Sequence, residues 1–254
     1  MTEESKNLKD NLDSIARQDK ISAGSYDFNK WLFGGYEKSI ITMIAGPAGS
    51  GKTNFCILAS ASQAKKGNKV IFVDTEGGFS IERIKQIVSS QEDLDKILNN
   101  ILLLKPTNFE EQKKEFQDLL KHIKKENISL IVIDGMTMLY RLEFENKERI
   151  QETNRSMAFQ MRTLAEIARK QGIPIIITNQ VYSEFLSDED LRQGKKKEVF
   201  IVGGDLLKYW SKCIIELKQE GNKRKAVLVK HRSLPQKEFP FEIKDKGIFK
   251  RGWI

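Results

Sequence analysis

The stretch Gly46-Pro47-Ala48-Gly49-Ser50-Gly51-Lys52-Thr53 constrains this chain more than any other. It fits G-x-x-x-x-G-K-[ST], with an apolar β-type run at 40–44 before it and helix-forming sequence from Asn54 to about Lys66 after it. Strand, glycine loop and helix start thus follow in the order a phosphate-binding loop requires. Glycines let successive backbone N–H groups turn inward, and a helix N-terminus adds partial positive charge, so the loop can wrap an anion. In such a loop Lys52 reaches the β- and γ-phosphates and the Thr53 hydroxyl holds Mg²⁺. The expected ligand is a nucleoside triphosphate, with Gly46–Thr53 and Asn54 as its binding set.

With 254 residues the chain can bury a large core, and one α/β domain is the expected organisation. Residues 1–20 read as a short charged helix or a tail, with Leu8, Leu12 and Ile15 as a thin apolar stripe, and 21–254 as the domain. Residues 1–20 are polar and unlike a signal peptide, and no apolar run approaches the ~20 residues of a bilayer span, so a cytoplasmic protein is expected. Cys56 and Cys213 lack metal-ligand spacing, and Cys56 is expected as a buried, reduced thiol. The net charge of +8 suits an anionic partner without identifying one.

Beyond the loop, short apolar runs alternate with helical patterns. Strands are expected at 70–73, 101–104, 130–133 and 175–178, and helices at 79–90, 110–125 and 147–170. Such alternation indicates a parallel sheet covered on both faces, which makes Met157 and Met161 core residues. A short helix at 28–32 and the break Gly34-Gly35 precede the first strand. Residues 182–198 are polar, without apolar periodicity, and read as a long loop. Three closely spaced strands, 214–217, 226–229 and 239–243, then suggest an antiparallel C-terminal extension.

Several carboxylates and amides end these strands. Asp134 closes the run Leu130-Ile131-Val132-Ile133, where an acid can hold Mg²⁺ through water opposite the phosphate loop, or cap a helix. In Asp74-Thr75-Glu76-Gly77-Gly78, Glu76 is positioned to polarise an attacking water; the alternative is a cluster of caps for the next helix. Thr178-Asn179-Gln180-Val181 ends the fifth strand, where Gln180 can report a γ-phosphate to the loop after it.

Taken with Glu82-Arg83, these stretches resemble the RecA/RadA recombinase family in order and spacing, from about Ile21 to Ile248. Within that family the chain is most similar to a small archaeal paralogue of the recombinase RadA. Gly203-Gly204-Asp205, Leu207-Lys208-Tyr209-Trp210-Ser211-Lys212 and Lys230-His231-Arg232-Ser233 belong to the likeness. The resemblance implies a RecA-like P-loop NTPase core with a mainly parallel sheet, ATP and Mg²⁺ as cofactors, and weak ATPase activity. It also implies Lys52, Glu76 and Gln180 as the catalytic group, Thr53 and Asp134 at the metal, and Arg83 stacked on adenine. A loop starting near Arg141 and residues 182–202 correspond to two DNA-binding loops. Lys195, Lys196 and Lys197 would then contact the phosphate backbone, or remain a solvated run. On a strand, Lys230 and Arg232 would project from one face, and in related hexameric ATPases a Lys-x-Arg pair reaches a neighbour's γ-phosphate. A surface pair flanking the turn at 233–235 is the alternative.

The expected partners are single-stranded DNA, the main RadA-type recombinase and further copies of the chain. Two features depart from the family pattern: Ser39 stands where glycine is common, and a Phe-x-x-Ala assembly motif is missing. Three readings follow: a DNA-associated accessory ATPase of recombination, an ATP-gated switch, and a ring-forming ATPase. A P-loop kinase fits less well, because Glu76 with Gln180 suits water activation.

Overall fold

The computed structural model describes residues 19–143, 150–183 and 199–252. The chain enters through β1 (Lys20–Ile21), α1 (Tyr26–Trp31) and β2 (Tyr36–Glu37), with β1 and β2 paired antiparallel. Ser25 caps α1 by accepting from Phe28 N–H, and its own hydroxyl donates to the Ile248 carbonyl at 2.6 Å. Ser39 adopts φ +63°, so the serine that stands in a glycine's place has the left-handed backbone glycine favours.

The core then alternates: β3 (Ile41–Gly46), α2 (Lys52–Ala64), β4 (Lys69–Asp74), α3 (Ile81–Ile87), α4 (Gln91–Asn99), β5 (Ile101–Leu104), α5 (Phe109–Lys125), β6 (Ile128–Asp134), α6 (Met138–Leu142), α7 (Ile150–Gln171) and β7 (Ile175–Ser183). β8 (Val199–Ile201), α8 (Gly204–Trp210), β9 (Ser211–Glu220), β10 (Lys223–Lys230), β11 (Lys237–Lys244) and β12 (Gly247–Lys250) complete it. One sheet has the order β12-β11-β10-β9-β3-β7-β6-β4-β5, with β8 attached to β7. Strands β9 and β3 through β5 run parallel, and β9 to β12 are mutually antiparallel.

Side-chain alternation explains why the sheet is covered twice. Val70, Phe72, Leu130, Val132 and Ile176 face a core shared with α2, while Ile71, Val73, Ile131, Ile133, Ile175 and Ile177 face one shared with α5 and α7. Met157 and Met161 lie in the second core, fully buried as expected. From β9–β11, Ile215, Leu217, Ala226, Leu228, Phe239 and Phe241 join the α2 core, while Ile214 on the other face of β9 joins the second core. An aromatic cluster fastens this extension, with Phe28 4.7 Å from Phe55 and Phe55 5.3 Å from Phe241, ring centre to centre.

Four expectations need correction. The helix expected at 79–90 ends at Ile87, and an unforeseen second helix, Gln91–Asn99, follows it, because Ser80 and Ser90 each accept an N–H three residues on, from Arg83 and Asp93, and so start separate helices. β9 is not merely the first antiparallel strand, since it also extends the parallel set by pairing with β3. The loop expected from 182 begins as a ribbon: Val181–Ser183 pair with Val199–Ile201, and Tyr182 stacks on Phe200 at 5.6 Å. Val181, Tyr182, Val199, Phe200 and Ile201 are β-branched or aromatic residues, which favour strands. Finally, β10 ends at Lys230, so Arg232 is not on the strand. His231 Nδ1 accepts the N–H groups of Ser233 and Leu234, both at 3.1 Å, and that turns the chain.

Candidate nucleotide site

Gly46 ends β3, and the loop passes to α2 over Pro47–Gly51. A Cβ on Gly46 would stand 2.8 Å from Ser50 Oγ and 2.9 Å from the Leu217 backbone, so the loop packs against β9 only because this residue is glycine. Gly51, at φ +103°, is the N-cap of α2 and offers no side chain to the first helical N–H groups. Asn54 and Phe55 N–H reach back to the Gly51 carbonyl, which leaves the N–H groups of Lys52 and Thr53 for a ligand, and Ser50 Oγ is buried without a hydrogen-bond partner. The loop therefore fits a phosphate group.

Lys52 Nζ donates to the Gly46 and Pro47 carbonyls, at 2.9 and 3.0 Å, and folds back over its own loop. Burial lowers its pKa, while Glu76 and Asp134 oppose that shift. Thr53 Oγ1 donates to Asp134 Oδ2 at 2.7 Å, and Thr178 Oγ1 donates to Asp134 Oδ1 at 2.6 Å. Burial raises the Asp134 pKa, and these two hydroxyls work against the rise. Asp134 thus does not cap a helix; it joins the start of α2 to the ends of β6 and β7. The Thr53 and Asp134 oxygens are hard donors of the kind Mg²⁺ takes.

Asp74 and Glu76 differ in their contacts. Asp74 accepts the Gly78 and Phe79 N–H groups, both at 3.0 Å, and shapes the turn after β4. Glu76 is exposed, and its Oε1 accepts from Gln180 Nε2 at 3.3 Å. Asn179, beside Gln180, donates to the Val202 carbonyl, and Val202 N–H donates back to the Gln180 carbonyl at 3.2 Å. The end of β7 is thereby bonded to the segment that follows β8.

Arg83 lies on α3 and ties the loop's helix to the β11–β12 turn. Its Nε donates to Asn54 Oδ1 at 2.7 Å and its terminal nitrogens to the Lys244 and Asp245 carbonyls, each at 2.9 Å. Arg141 is exposed in the last turn of α6, a short helix where a loop was expected. Lys195, Lys196, Lys197 and most of the expected second loop lie outside the described residues.

Lys230 and Arg232 do not join this group. β3 and β9 run parallel, and Lys230 pairs with Ile214, toward the start of β9. Lys230 Nζ donates to the Lys208 carbonyl at 2.7 Å, and Arg232 Nε pairs with the buried Glu37 at 2.7 Å. They sit toward the N-terminal end of the parallel strands, and the phosphate loop is at the C-terminal end. Sequence reasoning missed Thr178, Asn179 and Glu37. Thr178 and Asn179 stood in a noted motif, but a hydroxyl or amide there has no pattern that names its partner.

A parallel sheet with a strand–loop–helix of this kind and an acid from a neighbouring strand on the loop's threonine defines a RecA-like P-loop protein. A family model described as Rad51 matches residues 16–251, and the chain belongs to that family. It is 43% identical over 222 residues to the DNA repair and recombination protein RadB of Methanobrevibacter smithii, covering 85% of this chain and 90% of that protein. The RadB of Methanocaldococcus jannaschii is 41% identical over 218 residues, 85% of this chain and 96% of that one. For the RadB of Methanococcoides burtonii the identity is 37% over 220 residues, 86% and 92% of the two chains. Among the described residues no helix is long and apolar enough to cross a membrane.

Proposed function

We propose that this chain is an ATP- and DNA-binding accessory protein of homologous recombination and DNA repair, a weak Mg²⁺-dependent ATPase that assists a RadA-type recombinase in the cytoplasm. The observation that carries it is the joint of Thr53 and Thr178 on Asp134, beside a glycine loop with open N–H donors and the Glu76–Gln180 pair. Bound Mg·ATP would supply the transferable γ-phosphoryl group. Lys52 would exchange its two loop carbonyls for phosphate oxygens, and Thr53 with Asp134 would hold the metal's oxygen shell. Glu76 would take the proton of a water, its carboxylate oriented by Gln180. Arg83 would flank the base, and Arg141 with Lys195, Lys196 and Lys197 would contact DNA phosphates.

A second reading is favoured by the bonds from Asn179 and Gln180 to Val202: nucleotide sensed at Gln180 would reposition the segment after β7, so that ATP gates partner binding. A role for Lys230 and Arg232 on a nucleotide would require a second copy stacked head to tail, because both lie away from their own phosphate loop.

Calorimetric titration with ATP and Mg²⁺ tests the site. The wild-type chain is expected to bind, and Lys52→Ala to weaken binding about 10- to 100-fold, the range for a hydrogen bond to a charged group. Equal affinities in the two proteins, or no binding by the wild type, would refute it.

A further inference from the structure

The stretch 207–212 takes no part in the nucleotide site. There α8 ends and the chain turns into β9 at Ser211. Leu207 is buried, and Trp210 packs partly against the same core. Tyr209 between them is 67% exposed, a large aromatic ring left in water.

The ring is held in place. Trp210 meets it at 5.3 Å between centres with the planes 85° apart, and the Lys212 ammonium lies 5.3 Å from its centre. Lys212 also donates to the Tyr209 carbonyl at 3.2 Å. From β10, Lys230 holds the Lys208 carbonyl at 2.7 Å and so fixes the end of α8. Burial, and then the charge of Lys212, lower the Lys230 pKa, which marks a concentration of positive charge around the ring. Asp205 Oδ1 stands 3.9 Å from Lys208 Nζ, but that carboxylate is fully exposed and water screens the pair.

We propose that Tyr209, with Lys208 and Lys212, is a contact for single-stranded nucleic acid: a base stacks on the ring and the two lysines take the flanking phosphates. Every base has a face that stacks on an aromatic ring, so such a platform is tolerant of sequence, and cations beside it follow the backbone. A protein partner fits less well, because lysine is depleted in the cores of protein interfaces. Lys212 already covers the ring with a cation, and turning its exposed ammonium to a phosphate opens the face to a base. The inference rests on the DNA-binding reading for the kind of ligand, but it uses none of the residues that reading invokes.

The test uses the full chain and a fluorescein-labelled oligo-dT, followed by anisotropy across a salt series. Tyr209→Ala is expected to weaken binding about tenfold, and Tyr209→Phe, which keeps the stacking face, to bind like wild type. Lys208→Gln and Lys212→Gln are each expected to lower the slope of log affinity against log salt by about 0.7. An oligonucleotide carrying 5-iododeoxyuridine should photo-crosslink to Tyr209, a readout independent of affinity. If Tyr209→Ala binds as tightly as a wild type that does bind, the platform is wrong and the wider DNA reading stands. If the wild type binds no oligonucleotide, both fall. If Tyr209→Ala changes sedimentation and leaves DNA binding intact, the face joins copies of the chain, and the proposal is overturned.

Discussion

The two ends of the parallel strands are built on opposite principles. At the C-terminal end, Asp134 is buried, and both its oxygens accept from threonine hydroxyls on other elements. Lys52 is folded onto its own loop. Positions there are fixed by short side chains and glycine turns, which leave little rotamer freedom to lose when a ligand arrives. At the other end the cations are long and lie near the surface. Lys208 and Lys212 reach into water around Tyr209, and among the described residues Glu37, buried beneath Arg232 and His231, gives that side a fixed acid. One end is suited to positioning a small ligand atom by atom, the other to an extended anion whose exact register matters little.

This contrast can be broken most strongly at Glu37. Its carboxylate is 2.7 Å from Arg232 Nε and 3.7 Å from His231 Nε2, and the His231 side chain is only 3% exposed. Glu37→Ala leaves Arg232 without its counter-charge. Because half of the Arg232 side chain is in water, the cost is set below that of a wholly buried pair, at about 2 kcal/mol. A urea denaturation midpoint that does not move would mean that the cation-rich end is held by packing alone.

A smaller effect is expected at His231. Burial lowers its pKa; Glu37 opposes the shift, and Lys20, Arg232 and Lys237 add to it. Nδ1 accepts two backbone N–H groups, which requires that nitrogen to be unprotonated. With the folded value below the ordinary 6.5, the unfolded chain takes up a proton first as pH falls. The stabilisation from neutral His231 is therefore complete above 6.5 and is lost as pH falls through the folded value. The slope cannot exceed about 1.4 kcal/mol per pH unit. Denaturation at several pH values between 5 and 7 should show that slope in the wild type and a flatter one in His231→Gln. Parallel curves would remove His231 from the account.

The same contrast explains how much could be read beforehand. The glycine loop, the strand before it, the four parallel strands expected after it and the acid at 134 were legible, because each rests on local spacing: a glycine pattern, or a short apolar run ended by a polar residue. The Lys230–Arg232 geometry was misread, because strand spacing was extended past a turn that His231 makes by accepting two N–H groups. α4 was overlooked although Ser90 with Glu92 and Asp93 is a local start signal, obscured by the apolar pattern before it. Glu37 and Thr178 find partners far away in sequence, on Arg232 and Asp134, and only the folded chain brings those pairs together.

If the proposed function holds, the positioned end turns over ATP in response to nucleic acid bound elsewhere on the chain. ATP hydrolysis measured with and without single-stranded DNA, at low and moderate salt and beside Glu76→Gln, tests it most directly. The expected result is a rate that rises with DNA, a rise that shrinks as salt screens phosphate contacts, and a loss of about 100-fold or more in Glu76→Gln. A rate indifferent to DNA at both salt concentrations, or unchanged in Glu76→Gln, would contradict it.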